Sequence, residues 1–302
     1  MTDFISVTDL GHEGLASVIE LAATVKTDPA TVAGSRNGQT VGLFFEKPST
    51  RTRVSSEVAA VDVGMHPVVL KRDEVGLGSR EAVPDVARVL DRYLDVLAFR
   101  VFDHSHLLEI AEHAQAPVIN LLSDLEHPCQ AVADLQTIAE HRDLPGTVLT
   151  YVGDGNNVAH SLLLAGALMG MEVRVAHPDG YAPAENVVAE AARIAGVHGG
   201  AIEVGTDVNS LVSSSDVVYT DVWASMGQEE EAAERARVFA PYRVDGRLFG
   251  LAADDALFLH CLPAHRDEEV THEVLEHERS FVFDQAENRL HAFKAVLLHL
   301  TA

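Results

Sequence analysis

The chain has 302 residues, 47% of them hydrophobic, enough for two medium α/β domains with real cores, which excludes a disordered or cysteine-stapled chain. A formal net charge of −24 repels nucleic acid and anionic membranes at long range, so any anionic substrate has to be captured by a local basic cluster working against the global field. The two cysteines, Cys129 and Cys261, lie far apart in sequence and form no disulfide framework, the N-terminus lacks a basic region leading into an apolar stretch, and the longest apolar runs are broken before membrane-spanning length. A reducing cytoplasm is expected, with no transmembrane span and no nucleic-acid or membrane partner. Only Lys26, Lys47, Lys71 and Lys294 are lysines, so arginine supplies 18 of the 22 basic residues. Acidic excess with little lysine fits a high-salt cytoplasm, and a GC-rich genome explains the lysine deficit equally well.

In chain order, Leu15, Val18, Ile19, Ala22, Ala23 and Val25 mark an amphipathic helix, and 40–45 reads as a buried strand. Ser49-Thr50-Arg51-Thr52-Arg53 follows it and opens the periodic stretch Val54, Val58, Ala59, Val61. Two guanidiniums, three hydroxyls and the free N–H groups of a helix start within five residues form a phosphate trap. The plainer reading is an N-cap with solvated arginines. Further strands are predicted over 66–70, 96–100 and 118–121. His127-Pro128-Cys129-Gln130 then opens a helix running to about residue 141, offering imidazole and amide donors that could polarise a carbonyl. A cap with a packed histidine is the alternative there.

Asp143-Leu144-Pro145-Gly146 is the best domain boundary, a turn between a long helical pattern and a new strand. Beyond it, strands are predicted over 147–152, 172–176, 202–205, 217–220, 257–260 and 280–284, and a helix over 286–300. The fold class is therefore α/β, with two similar-sized domains, each a parallel sheet flanked by helices and binding ligands beyond its strand C-termini. Gly153-Asp154-Gly155-Asn156-Asn157 lies between a strand and a helix like a dinucleotide turn, yet it lacks the third glycine and a clear acidic ribose partner. Asn157 is better read as a polar group facing a small ligand. Asp221, at a strand end, can hold a substrate ammonium while Ser225 and nearby backbone hold its carboxylate, and Trp223 reads as packing. His260, Cys261 and His265 are three candidate metal ligands without a fourth of matching spacing, so the loop reads as a substrate pocket and no metal is expected. The remaining histidines read as surface residues.

With these residues in hand, the chain resembles the ornithine carbamoyltransferases over nearly its whole length. The markers are Phe45-Glu46-Lys47-Pro48 before the Ser-Thr-Arg-Thr-Arg run, His127-Pro128-Cys129-Gln130, Asp221 with Ser225-Met226-Gly227, and His260-Cys261-Leu262-Pro263. The last two point to ornithine. The resemblance implies that Ser49, Thr50, Arg51, Thr52 and Arg100 bind the phosphate of carbamoyl phosphate, with Arg53 in structural ion pairing. It further implies that His127, Gln130 and Arg289 address the carbamoyl end. Asn157, Asp221, Ser225 and Met226 would grip the α-amino and α-carboxylate groups of L-ornithine, while Cys261 and the Leu262 carbonyl receive its side-chain amine. Arg100, His127, Asp221, Cys261 and Arg289 are the residues expected to carry catalysis. No cofactor is implied.

The implied domains are 1–142 for carbamoyl phosphate, with a C-terminal helix over 286–302 returning to it, and 143–285 for ornithine. A homotrimer or a multiple of trimers is implied as well, and a cis Leu262-Pro263 bond is expected in a tight loop that presents thiol and carbonyl to one ligand. One segment departs from the family pattern. Where relatives carry Ser or Thr followed by Asp-Thr-Ala, this chain has Gly78-Ser79-Arg80-Glu81-Ala82 and then Asp85-Val86-Ala87, in a loop expected to approach the neighbouring subunit's site. The competing functions are carbamoyl transfer to another amine, such as putrescine or an acylated ornithine, and a silent regulatory homologue.

Overall fold

The computed structural model describes residues 3–224 and 229–302. The chain divides into two compact units, one of residues 1–136 with 287–302 and the other of 137–286. Each is a parallel sheet with helical crossovers.

The first unit begins with helix α1 (Gly11–Thr27), whose Leu15, Val18, Ile19, Ala22 and Val25 are buried at helical spacing. Strand β1 (Thr40–Phe45) leads into α2 (Thr50–Val63), and β2 (His66–Lys71) follows. Helix α3 (Val83–Leu90) precedes β3 (Val96–Arg100), and α4 (His104–His113) precedes β4 (Val118–Leu122). The strand order is β2-β1-β3-β4, all parallel. Because β2 lies on one side of β1 and β3 on the other, the topology reverses between β1 and β3, and their C-terminal ends flank the crevice where such sheets bind ligands. Helix α5 (Pro128–Ala139) starts after β4.

In the second unit β5 (Val148–Val152) is followed by α6 (Asn157–Leu168), β6 (Glu172–Ala176), α7 (Glu185–His198), β7 (Ala201–Gly205) and β8 (Val217–Thr220). Helix α8 (Ala232–Phe239) precedes β9 (Leu257–His260). The order β7-β6-β5-β8-β9 reverses between β5 and β8. Val152 and Thr220, paired across that switch, therefore deliver Gly153 to Asn157 and Asp221 to neighbouring strand ends. Every residue of α6 from Val158 to Leu168 is buried, as expected of a helix in which only His160 and Ser161 interrupt an apolar surface over that span.

Two expectations need correction. The predicted strand over 280–284 does not form: Ser280 makes one isolated bridge to Phe258, and the chain enters α9 (Val282–Leu300) two residues later. Val282, Gln285, Asn288, Arg289 and Ala292 are buried at helical spacing, so the helix expected from 286 begins four residues earlier. A short apolar run cannot by itself distinguish strand from helix, and here the period downstream decides. The histidines are also not all superficial. His160, His177 and His291 are buried, and His160 Nε2 accepts the Ala184 N–H at 3.0 Å, which fixes its tautomer.

Candidate active site

In the first unit, Ser49 occupies the N-cap position of α2 with extended backbone, yet its side chain makes no capping hydrogen bond. The simple capping reading of the motif is therefore set aside, and the first turn of α2 is not closed by its own cap. The Arg51 guanidinium is half-buried and makes no hydrogen bond or ion pair among the described residues. Arg53 points away into an exposed pair with Glu57 at 2.6 Å, one helical turn on.

Thr52 is buried, and its hydroxyl oxygen accepts from Arg100 Nη1 and from Arg289 Nη2, each at 3.3 Å. Arg100 ends β3, where the pairing register with β4 shifts between Phe99 and Arg100, and such an irregularity re-aims a side chain at a strand end. Arg289, on α9, also donates to Gln130 Oε1, and Gln130 Nε2 donates to Asp134 Oδ1 at 2.7 Å. Motif, strand end and C-terminal helix thus meet at one hydroxyl.

His127 stands at the head of α5, fully enclosed. Burial, with the nearby Arg289 and Arg100 charges, holds its imidazole well below the usual histidine value of 6.5. It is neutral at pH 7, able to donate one hydrogen bond without adding a third cation. This sets a pH signature. Above about 6.5 both folded and unfolded forms are neutral; below it only the unfolded chain gains this proton, so folding loses stability as pH falls, by up to about 1.4 kcal/mol per pH unit until the folded imidazole itself titrates. His127→Gln is expected to flatten that acid-side slope in urea melts at pH 7.5 and 5.5. An unchanged slope would show that the imidazole is not held neutral.

In the second unit the Asn156 side chain caps α6, accepting from the N–H groups of Val158 at 2.9 Å and Ala159 at 3.2 Å. Its amide donates to Asp221 Oδ2 at 2.9 Å. The other Asp221 oxygen accepts from the Val222 N–H at 2.8 Å and from the Cys261 thiol at 3.0 Å. Tyr151 donates to Asn156 Oδ1 at 3.3 Å, and burial, followed by the nearby Asp221, pushes its phenol well above 10, so it stays a donor. Asn157 is the half-buried first residue of α6. The Leu262-Pro263 bond is cis, as expected, and Leu262 has φ +56°, an unusual conformation for a bulky residue. Ser225 and Met226 lie outside the described residues. Trp223 is buried and stacks on Phe239, a packing role.

The atoms of Asp221, His260 and Cys261 are close enough together to be weighed as a metal cluster. Hydrogen bonding speaks against it. His260 Nδ1 accepts the Leu262 N–H at 2.9 Å and Nε2 lies 3.2 Å from Glu269 Oε1, so both ring nitrogens are engaged. His265 instead reaches Glu268 and Glu269, in a half-exposed group.

Three residues of this constellation escaped the sequence reading: Asn156, Tyr151 and Asp134. Asn156 had a usable signal, since the first of two asparagines before an apolar helix is the natural cap. Asp134 lies one turn after Gln130, a spacing equally common in structural pairs.

One parallel α/β unit thus carries a cationic cluster at helix heads and the other a carboxylate–thiol cluster at strand ends. The sequence models of the aspartate/ornithine carbamoyltransferases match both: the carbamoyl-P binding domain over residues 2–140 and the Asp/Orn binding domain over 145–300. The chain belongs to the aspartate/ornithine carbamoyltransferase family. Within it, the chain is 52% identical to the ornithine carbamoyltransferase of Acidothermus cellulolyticus over 300 residues, 98% of this chain and 96% of the relative. Of solved structures, the ornithine carbamoyltransferase of Pyrococcus furiosus matches with a TM-score of 0.95 and 47% identity over 98% of this chain and 96% of that one. That of Gloeobacter violaceus matches at 0.91 and 44%, covering 100% and 99%.

Proposed function

We propose that the chain transfers the carbamoyl group of carbamoyl phosphate to the side-chain amine of L-ornithine, giving L-citrulline and phosphate. The phosphate is held at the head of α2 by Ser49, Thr50, Arg51 and Thr52 and by Arg100, where helix N–H groups and guanidiniums favour an anion. His127, Gln130 and Arg289 address the carbamoyl end. Asp221 pairs with the α-ammonium of ornithine and Asn157 adds a polar contact. Ser225 and Met226 take the α-carboxylate side, and Cys261 with the Leu262 carbonyl receives the side-chain amine.

The neutral amine attacks the carbamoyl carbon, forming the C–N bond and a tetrahedral oxyanion facing Thr52, Arg100, His127 and Arg289. The C–O bond to phosphate then breaks with its electron pair going to the phosphate oxygen, phosphate departs onto Arg51, and the one proton given up by the amine ends, in the net balance, on the departing phosphate, which leaves as hydrogen phosphate. No covalent enzyme intermediate is formed. A free amine of this kind has a reference pKa of about 10.4, so the pocket has to desolvate it before attack. Preorganised donors around the developing oxyanion supply the stabilisation of the transition state.

The observation that carries this reading is the convergence of Arg100 and Arg289 on the Thr52 hydroxyl, with a neutral His127 beside them, in a chain of net charge −24. A silent homologue would have no reason to keep that arrangement intact. In the same reading the enzyme works in the cytoplasm as a homotrimer, and the exposed Ser79 and Arg80 serve a neighbouring subunit. Among the described residues, no helix is long and apolar enough to cross a membrane.

The test is product identification with carbonyl-labelled carbamoyl phosphate. Labelled citrulline and phosphate are expected in equal amounts, dependent on ornithine. Phosphate release without citrulline would overturn the reading.

A further inference from the structure

Outside the groups that meet substrate in this reading, one buried chain of hydrogen bonds ends on the turn that carries Cys261 and Leu262. Glu269 and His260 are both fully buried. The Leu262 N–H can only donate, so the His260 Nδ1 it meets at 2.9 Å is an acceptor and the ring proton sits on Nε2. That proton faces Glu269 Oε1 at 3.2 Å, and the same oxygen accepts the His265 N–H at 2.5 Å. The His260 N–H is in turn held by Gln285 Oε1 at 2.9 Å.

Cys261 is therefore bracketed by two anchored amides, and Leu262 is kept at φ +56°, a region bulky residues seldom occupy without outside support. The thiol so placed lies 3.0 Å from Asp221 Oδ1. We infer that Glu269 and His260 are positioning residues: Glu269 fixes the His260 tautomer, and His260 fixes the Cys261–Leu262 peptide that presents thiol and carbonyl to the acceptor amine. The inference rests on the proposed ornithine reaction and adds to it the group that shapes the amine subsite. It also gives the histidine that precedes the cysteine a role through its hydrogen bonds to Leu262 and Glu269.

The acceptor, not the charge, is what the relay needs from Glu269. Glu269→Gln keeps an acceptor oxygen for both partners and Glu269→Leu keeps none; His260→Asn keeps an amide acceptor near Nδ1 and His260→Phe keeps none. Citrulline formation by the parent is measured first, and its absence overturns the proposed function itself. Given parental activity, Glu269→Leu and His260→Phe are expected to raise the KM for ornithine tenfold or more. Glu269→Gln should stay within threefold, His260→Asn should fall between, and the inhibition constant of inorganic phosphate should not move in any of them. A parental ornithine KM in Glu269→Leu, equal losses in the Gln and Leu variants, or a parallel loss of phosphate affinity would overturn the inference. If the Leu and Phe variants do not fold, His260→Asn decides: a rise in ornithine KM of threefold or more with phosphate affinity unchanged is expected, and a parental KM overturns it.

Discussion

Arg51→Ala is expected to cost about 3–4 kcal/mol of transition-state stabilisation, roughly a hundred- to thousand-fold in kcat/KM for carbamoyl phosphate. Arg51 heads α2 with a guanidinium that has no ion pair or hydrogen bond among the described residues, so nothing inside the fold depends on its charge. The protein around it is acidic, and removing one of few local cations leaves a dianion facing a net repulsive field. Arg51→Lys should recover part of the loss, because it restores the charge but not the two-pronged donor geometry. Folding should be little affected, since no hydrogen bond or ion pair among the described residues rests on the side chain. Calorimetry decides the matter: weakened carbamoyl phosphate binding is expected, and unchanged affinity would remove Arg51 from the phosphate site.

Asp221→Asn is expected to act on the other substrate. The substitution keeps the shape and leaves an oxygen able to accept from Asn156 or Cys261, which now bond the carboxylate at 2.9 and 3.0 Å. It removes the negative charge from a side chain only 6% exposed, leaving a buried substrate ammonium uncompensated. A loss of about 2–5 kcal/mol in kcat/KM for ornithine is the range for breaking such a pair. Carbamoyl phosphate affinity should survive, because its proposed ligands belong to the other unit. Weakened carbamoyl phosphate with intact ornithine turnover would reverse the assignment of the two units.

Much of the fold was legible because each sheet is made of buried parallel strands separated by helical patterns, and the alternation survives even where individual ends move. The strand at 40–45, the hydroxyl- and arginine-rich run at 49–53 behind it and Asp221 after 217–220 could all be placed from local pattern. The misreading at 280–284 arose where an apolar stretch sits beside β9 for one bridge and then becomes the first turn of a helix whose period is set by residues further on. Within the site, residues in compact motifs were visible and those joined across long separations were not. Arg289 meets Thr52 across 237 positions, and only a family resemblance could bring them together. Glu269 was invisible for a different reason: it touches no proposed ligand and works through His260, and an acidic chain offers many similar glutamates.

In the proposed reaction the amine acceptor is ornithine, recognised through its α-ammonium by Asp221. The deciding measurement compares kcat/KM for L-ornithine, putrescine and an Nα-acylated ornithine at saturating carbamoyl phosphate, in the parent and in Asp221→Asn. A parental preference for ornithine of a hundredfold or more is expected, on the order of the 2–5 kcal/mol assigned to the pair, together with its collapse in the variant. A parent enzyme that used putrescine or the acylated amine as well as ornithine, or a preference unchanged in Asp221→Asn, would contradict it.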